Sequence, residues 1–126
     1  MPKLKDLKAY QKSLEYSLKV RDLVKDFPDF EREILSDQLL RSSLSVVSNI
    51  SEGYYQESPK NYLKHLNIAV CSLAESQSQL ELATISGLID LSTHREMDAL
   101  ADQIHRMCYG LKVHITNKSK KLEKVL

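Results

Sequence analysis

The chain has 126 residues, of which 42% are hydrophobic and 28% charged, a balance typical of one globular domain. Only three glycines and three prolines are present, too few for a turn-rich β protein, so the composition favours long helices. The N-terminal residues lack the apolar run of a signal peptide, and no stretch is apolar over the length of a membrane span. We therefore expect a cytoplasmic protein without a membrane partner.

The first predicted helix spans residues 4–27, where apolar residues recur at helical intervals. Leu14 and Leu18 belong to its apolar row and are expected in the core. Pro28 ends this helix, because a proline disfavours helical backbone in the residue before it. Asp29 can then cap the second helix.

The second predicted helix spans residues 29–56 and carries two apolar rows. The first row is Leu40, Leu44, Val47, Ile50 and Tyr54, and the second is Leu35, Leu39 and Val46. A helix of a monomeric bundle usually needs only one broad apolar stripe. Two apolar rows predict burial on two sides of this helix, which is a first indication of a contact between subunits.

The third predicted helix spans residues 59–86, with Ser58 as its N-cap and Gly87 at the left-handed position that often follows a helix. The fourth spans residues 93–121 and opens with a capping-box pattern at Thr93. Four helices joined by short turns predict one all-α domain, an up-down-up-down antiparallel four-helix bundle over residues 1–126.

Charged residues separate towards the two ends of such a bundle, although the formal net charge is only +1. One end, here called the basic end, holds ten lysines: Lys3, Lys5, Lys8, Lys12, Lys60, Lys64, Lys118, Lys120, Lys121 and Lys124. Four acidic residues accompany these ten lysines, which leaves +6. The opposite, acidic end has ten acidic residues against Arg21, Lys25, Arg32 and Arg95, which leaves −6.

Side-by-side copies of the bundle would turn these two ends into a basic ring and an acidic ring. The basic ring predicts a non-specific phosphate-binding surface for RNA or another nucleic acid, and the acidic ring predicts a basic protein partner. The alternative is that the lysines are solvated helix ends with no ligand. The lysines are not interleaved with aromatic residues in the manner of a stacking platform, so a base-stacking platform is not predicted.

A polar stripe on helix two is the least generic feature of the sequence. Its residues recur at spacings of three and four, and similar spacings occur on helix three. The helix two members are Arg41, Ser45, Asn49 and Glu52, followed by Gly53 and Tyr54, and the helix three members are Ser72, Glu75 and Gln79. We expect Asn49 and Glu52 to meet Ser72 and Glu75 in a hydrogen-bond network that sets register and subunit pairing.

The chemical alternative for this stripe is a carboxylate pair, Glu52 with Glu75, which would act as acid and base or hold a metal. Di-metal bundles usually contain Glu-x-x-His pairs, and this sequence has none. His105 and Cys108, joined by Cys71, form a second metal candidate, although both cysteines are expected to be buried, reduced core thiols. We predict no catalytic residue, metal, cofactor or small-molecule substrate, since nucleophile and phosphate-loop motifs are also absent.

Residues 38–54, 66–75 and 79–80 resemble the bacterial family of 23S ribosomal RNA intervening-sequence proteins, which are four-helix bundles. Asn49-Ile50-x-Glu52-Gly53 is the specific core of the resemblance. The family pattern falls on Arg41, Ser45, Asn49, Glu52, Gly53, Ser72, Glu75 and Gln79. Two positions depart from the pattern: Cys71 replaces the usual glycine, and Gln56 stands near a position that is commonly basic.

The resemblance implies a small cytosolic bacterial protein, encoded within or beside ribosomal RNA intervening sequences or as a separate gene. The accessory proteins of diversity-generating retroelements share the fold and form homopentameric barrels that bind nucleic acid and a reverse transcriptase. The resemblance thus implies a non-enzymatic homopentameric scaffold that associates with RNA or docks a nucleic-acid-handling partner. A metal-binding or enzymatic bundle that uses Glu52 and Glu75 is the competing hypothesis.

Overall fold

Four α-helices form an up-down-up-down antiparallel bundle in the computed structural model, which describes residues 3–125. The helices are α1 (Lys8–Val24), α2 (Asp37–Tyr54), α3 (Pro59–Ile85) and α4 (Leu91–Val125). Each helix packs on the helices next to it in the chain, and α1 also packs on α4, which closes the bundle. The most extensive packing joins α2 to α3. The predicted fold class is therefore confirmed.

The sequence predicted one continuous helix from residue 4, but the chain breaks before α1. Leu4–Asp6 forms a short 3₁₀ helix, and Leu7 then adopts an extended conformation with φ −76° and ψ 118°. The Lys3 amide donates to the Asp6 carboxylate at 3.1 Å, which closes this turn. The N-terminal segment is thus a separate short element that precedes the bundle.

The connection between α1 and α2 also differs from the prediction. α1 ends at Val24, and a 3₁₀ turn (Asp29–Glu31) and a π-helical turn (Arg32–Ser36) precede α2. Asp29 makes no capping hydrogen bond, so its predicted role as a cap is wrong. The π turn is a wider helical turn that periodicity alone does not distinguish from an α-helix.

The ends of α3 follow the local signals of the sequence. The Ser58 hydroxyl accepts a hydrogen bond from the Asn61 amide at 3.4 Å, which confirms the N-cap. Gly87 adopts a φ of +84°, where a side chain would be strained. The amide of Leu88 donates to the Ala83 carbonyl at 2.9 Å, so a Schellman motif ends this helix.

The first residue of α4 lies two positions earlier than predicted. The Asp90 carboxylate accepts a 2.7 Å hydrogen bond from the Thr93 amide, so Asp90, not Thr93, caps the helix. This bond to the charged form lowers the pKa of Asp90.

The core contains large apolar side chains from all four helices, including Leu39, Leu66, Leu73 and Ile104, which are fully buried. On α1, however, the buried face contains Ala9, Ser13, Tyr16 and Val20. Leu14 and Leu18 are 37% and 66% exposed, so their predicted place in the core is wrong. The two small residues of the buried face let α1 approach its neighbours closely, a signal that a hydrophobicity pattern does not record.

One buried hydrogen bond crosses the bundle from α1 to α3. The hydroxyls of Tyr16 and Ser76 are 2.9 Å apart, and both residues are completely buried. Burial raises the pKa of Tyr16 to about 12, because the phenolate would be desolvated.

Candidate functional site

The boundary between α2 and α3 contains a row of polar contacts, here called the polar seam: Ser42, Ser45, Asn49, His65, Ser72 and Gln79. The hydroxyls of Ser45 and Ser72 are 2.8 Å apart. The Ser42 hydroxyl donates to Oε1 of Gln79 at 2.7 Å. These pairs join the two helices through side chains whose polar groups satisfy one another.

Asn49 has a different partner from the one expected. Its Nδ2 donates to the carbonyl and the hydroxyl of Ser45, at 2.9 and 3.1 Å. Its Oδ1 lies 3.1 Å from Nδ1 of His65, and since a carbonyl oxygen only accepts, Nδ1 carries the proton. The expectation that Asn49 meets Ser72 and Glu75 is therefore wrong. His65, which the sequence did not single out, closes the seam.

Glu52 and Glu75 do not form a carboxylate pair. Ser45 of α2 and Ser72 of α3 lie at the same level of the bundle. Glu52 lies seven residues after Ser45, towards one end of the bundle. Glu75 lies three residues towards the other end, because the helices are antiparallel. At 1.5 Å per residue, the two glutamates are about 15 Å apart along the bundle axis. Glu52 instead lies 3.6 Å from His65, and its side chain is 62% exposed.

Gly53 marks the closest approach of α2 to α3. A Cβ atom at this position would lie 3.0 Å from Cβ of His65 and 3.0 Å from Cδ1 of Tyr62. Such separations are shorter than an ordinary van der Waals contact. Glycine at this position therefore lets the first turns of α3 pack directly on the backbone of α2. Tyr62 is partly buried at this contact, and its burial raises the pKa of the phenol.

The second metal candidate is not assembled. Nε2 of His105 lies 2.9 Å from Oε1 of Gln77, on the surface between α3 and α4. Cys108 is fully buried, and its burial raises the pKa of the thiol to about 11. Cys71 is exposed, so the prediction that both cysteines lie in the core is wrong for this residue. Within residues 3–125, no three histidine, cysteine or acidic side chains converge in a way that could hold a metal.

The chain segments of the basic end lie next to one another. Lys3 and Lys5 line a groove with Tyr55 at the end of α2. Lys60, in the first turn of α3, lines a second groove with Ser119 of α4. All ten lysines of the basic end are exposed except Lys12, which is half-buried and forms an ion pair with Glu15 at 3.3 Å.

The last turns of α4 extend past the rest of the bundle. Ser119 is level with the start of α3, so residues 120–125 reach about 9 Å further. Leu122 and Val125 are 53% and 82% exposed on this extension. The extension therefore presents Lys120, Lys121 and Lys124 to solvent on several sides.

Aromatic side chains do lie among the lysines of the basic end, contrary to the sequence expectation. Tyr10, Tyr54 and Tyr55 line a groove with Lys3, Leu4 and Lys5, here called the tyrosine groove, which has a volume of about 590 Å³. The rings of Tyr54 and Tyr55 are packed edge to face, with centroids 5.3 Å apart and planes at 84°. The groove joins the start of the chain to the end of α2, which are far apart in sequence, so the fold brings these two groups of residues together.

Arg41 and Glu75 are exposed on the outer surface of α2 and α3. Neither forms an ion pair within the described chain. Among residues 3–125, no helix combines the length and apolar character needed to cross a bilayer.

Comparison with known proteins gives the family. The family model described as 23S rRNA-intervening sequence protein matches residues 5–110, which include the polar seam and most of the tyrosine groove. A crystal structure from Bacteroides thetaiotaomicron VPI-5482, described as a protein with unknown function from the S23 ribosomal protein family, is similar with a TM-score of 0.76. The two chains are 26% identical, and the similarity covers 82% of this chain and 97% of the other. No curated protein matches the sequence. The chain therefore belongs to the 23S rRNA-intervening sequence protein family.

Proposed function

We propose that this protein is a non-enzymatic, homo-oligomeric helical scaffold that binds RNA through its basic end. The observation that carries the proposal is the convergence of three lysine-bearing segments on one end of the bundle. Ten lysines accompanied by four acidic residues attract a polyanion, and most of these lysines are exposed and free to contact phosphates. Membership of a family described by its 23S rRNA intervening sequence favours RNA as that polyanion.

The test is a salt titration of binding to a structured RNA. Affinity should fall as salt rises, with a logarithmic slope of about −0.7 to −0.9 per neutralised phosphate. Replacing Lys118, Lys120, Lys121 and Lys124 by glutamine should weaken binding and flatten this slope.

A matched control removes four positive charges from the acidic end instead. Replacing Arg21, Lys25, Arg32 and Arg95 by glutamine changes the net charge equally and should leave the slope unchanged. Absence of binding at low salt, or equal losses in the two quadruple variants, would contradict the proposal.

The homo-oligomer, a pentamer by family resemblance, is proposed to use the outer surface of α1 and α2. Leu18 and Leu44 are 66% and 55% exposed. They lie at similar levels along the bundle, because Tyr10 shares a groove with Tyr54 and α1 runs antiparallel to α2. Exposed leucines on adjacent helices are typical of a surface that another subunit covers.

Solution mass at several concentrations tests the assembly. A pentamer has five times the 14.4 kDa mass of one chain. Leu18→Lys combined with Leu44→Lys should lower the measured mass. The control replaces Leu82, which is 55% exposed on α3, by lysine and should not change the mass. A 14.4 kDa species at every concentration would contradict the assembly.

We assign the acidic end to a basic protein partner because of its complementary charge. The absence of enzymatic activity is part of the same proposal, since the 15 Å offset of Glu52 and Glu75 estimated from helix rise is too large for a shared metal or proton. Elemental analysis of protein purified without chelator should find no stoichiometric metal. A bound metal would favour the competing enzymatic hypothesis.

A further inference from the structure

The tyrosine groove combines the two kinds of group that recognise an unpaired nucleotide. Tyr55 is 70% exposed although its ring is large and mostly apolar. Lys3 and Lys5 line the same groove, and neither forms an ion pair within residues 3–125. An exposed aromatic face beside free ammonium groups is the arrangement with which proteins stack a base and hold its phosphate.

The lysines of the groove are held in place by the short N-terminal element. The Asp6 carboxylate accepts a hydrogen bond from the Lys3 amide at 3.1 Å, which fixes the turn. Nε2 of Gln11 donates to the carbonyl of Lys5 at 2.7 Å, which ties this turn to α1. Backbone anchoring of this kind reduces the ordering that binding would otherwise require.

The aromatic wall of the groove is also fixed by its surroundings. Tyr54 packs its ring edge to face with that of Tyr55. Gly53 packs against Tyr62 and His65 of α3, which anchors the end of α2 just before the two tyrosines. The stacking surface is therefore built on a helix end with little freedom to move.

We propose that the tyrosine groove binds one unpaired base of an RNA strand, stacked on Tyr55, with a neighbouring phosphate contacted by Lys3 and Lys5. This inference rests on the proposed RNA-binding function and adds the class of RNA that the basic end prefers, which is single-stranded. The volume of the tyrosine groove, about 590 Å³, lies within the range of about 300–1,000 Å³ found for small-ligand sites. Stacking uses the face of the base, so the site accepts any base.

The experiment compares a fluorescein-labelled ten-nucleotide oligouridylate with a ten-base-pair RNA duplex, using fluorescence anisotropy at low salt. Tyr55→Ala should weaken oligouridylate binding by roughly five- to 150-fold, the range expected for loss of one stacked base. Its effect on the duplex should stay within about twofold, because the duplex offers no free base. Tyr55→Phe keeps the ring and should retain oligouridylate binding.

Tyr109→Ala is the matched control, since Tyr109 is 69% exposed on α4 and does not line the tyrosine groove. It should not change the affinity for either RNA. As a direct readout of stacking, the fluorescence of Tyr55→Trp should be quenched by oligouridylate, and that of Tyr109→Trp should not.

The outcomes separate this inference from the proposed function. If neither RNA binds in a salt-dependent way, the proposed function fails and the inference fails with it. If both bind but Tyr55→Ala behaves like Tyr109→Ala, only the stacking site is refuted. A lower solution mass for Tyr55→Ala would show that the groove is a contact between copies of the chain and would likewise overturn the inference.

Discussion

Replacing Gly53 by alanine tests whether the close approach of α2 and α3 is needed for stability. The added Cβ would lie 3.0 Å from atoms of both Tyr62 and His65, whereas ordinary contacts begin at 3.4 Å. The neighbouring atoms of Tyr62 and His65 must therefore shift by a few tenths of an ångström. Overpacking of this kind costs about 1–3 kcal/mol, and the better helix propensity of alanine returns at most about 1 kcal/mol. We expect a net loss of about 0–3 kcal/mol.

Gly110→Ala supplies the matched control, because nothing lies within 4 Å of a Cβ built at that position in α4. It should gain about 0.5–1 kcal/mol from helix propensity alone. The free energies of unfolding of the two variants should therefore differ by about 1–3 kcal/mol. Both variants gain the helix propensity of alanine, so their difference reports the packing cost at Gly53.

Urea unfolding followed by helical circular dichroism measures this difference, with all proteins at one concentration because assembly also stabilises the fold. A difference of about 2 kcal/mol corresponds to about 1 M in the midpoint for a slope near 2 kcal/mol/M. If Gly53→Ala proved as stable as Gly110→Ala, α3 would not depend on a bare backbone at this point, and the reasoning from the 3.0 Å contacts would be wrong.

Two further predictions concern buried and half-buried polar groups. Because the pKa of Tyr16 is raised from 10.0 to about 12, the unfolded chain releases this proton first as pH rises. Stability should thus fall between pH 10 and 12 by up to about 1.4 kcal/mol per pH unit relative to Tyr16→Phe. Parallel pH profiles of the two proteins would contradict this expectation. Below pH 10, the free energy of unfolding of Tyr16→Phe should be about 1–3 kcal/mol lower than that of the unchanged protein, because Ser76 loses its hydrogen-bond partner. Asn49→Leu should lower the free energy of unfolding by about 1–3 kcal/mol or reduce the oligomer mass, since His65 loses its acceptor. Asn67→Leu, at an exposed position of α3, should have little effect on either quantity. Equal melting together with equal oligomer mass in the two variants would refute a role for the seam.

Features of the fold that depend on local chemistry were predictable from the sequence. Ser58 caps α3 because its hydroxyl needs only the amide three residues later, and Gly87 ends the helix because glycine tolerates a φ of +84°. Helix count and order follow from periodicity. Periodicity did not predict which face of α1 is buried. Ala9 and Ser13, rather than Leu14, face the core, and small residues contribute little to a hydrophobicity pattern.

Features of the candidate site that depend on register were not predictable. The partner of Asn49 is fixed by how far α3 is displaced along α2, and that displacement depends on contacts such as Gly53 with Tyr62. Helical spacing predicts which residues share a stripe and leaves their level on the neighbouring helix open. The tyrosine groove was missed for a related reason, since Lys5 and Tyr55 are separated by fifty residues and meet only in the bundle.

The alternating direction of the four helices has an electrostatic consequence for the basic end. The N-termini of α1 and α3 lie at this end with the C-terminus of α2, and α4 points its C-terminus in the same direction. Each helix N-terminus carries roughly half a positive charge and each C-terminus roughly half a negative charge, so the four backbone dipoles nearly cancel. The positive field at this end therefore comes from lysine side chains alone. Acetylation of those lysines would remove the field while leaving the helices and their packing in place.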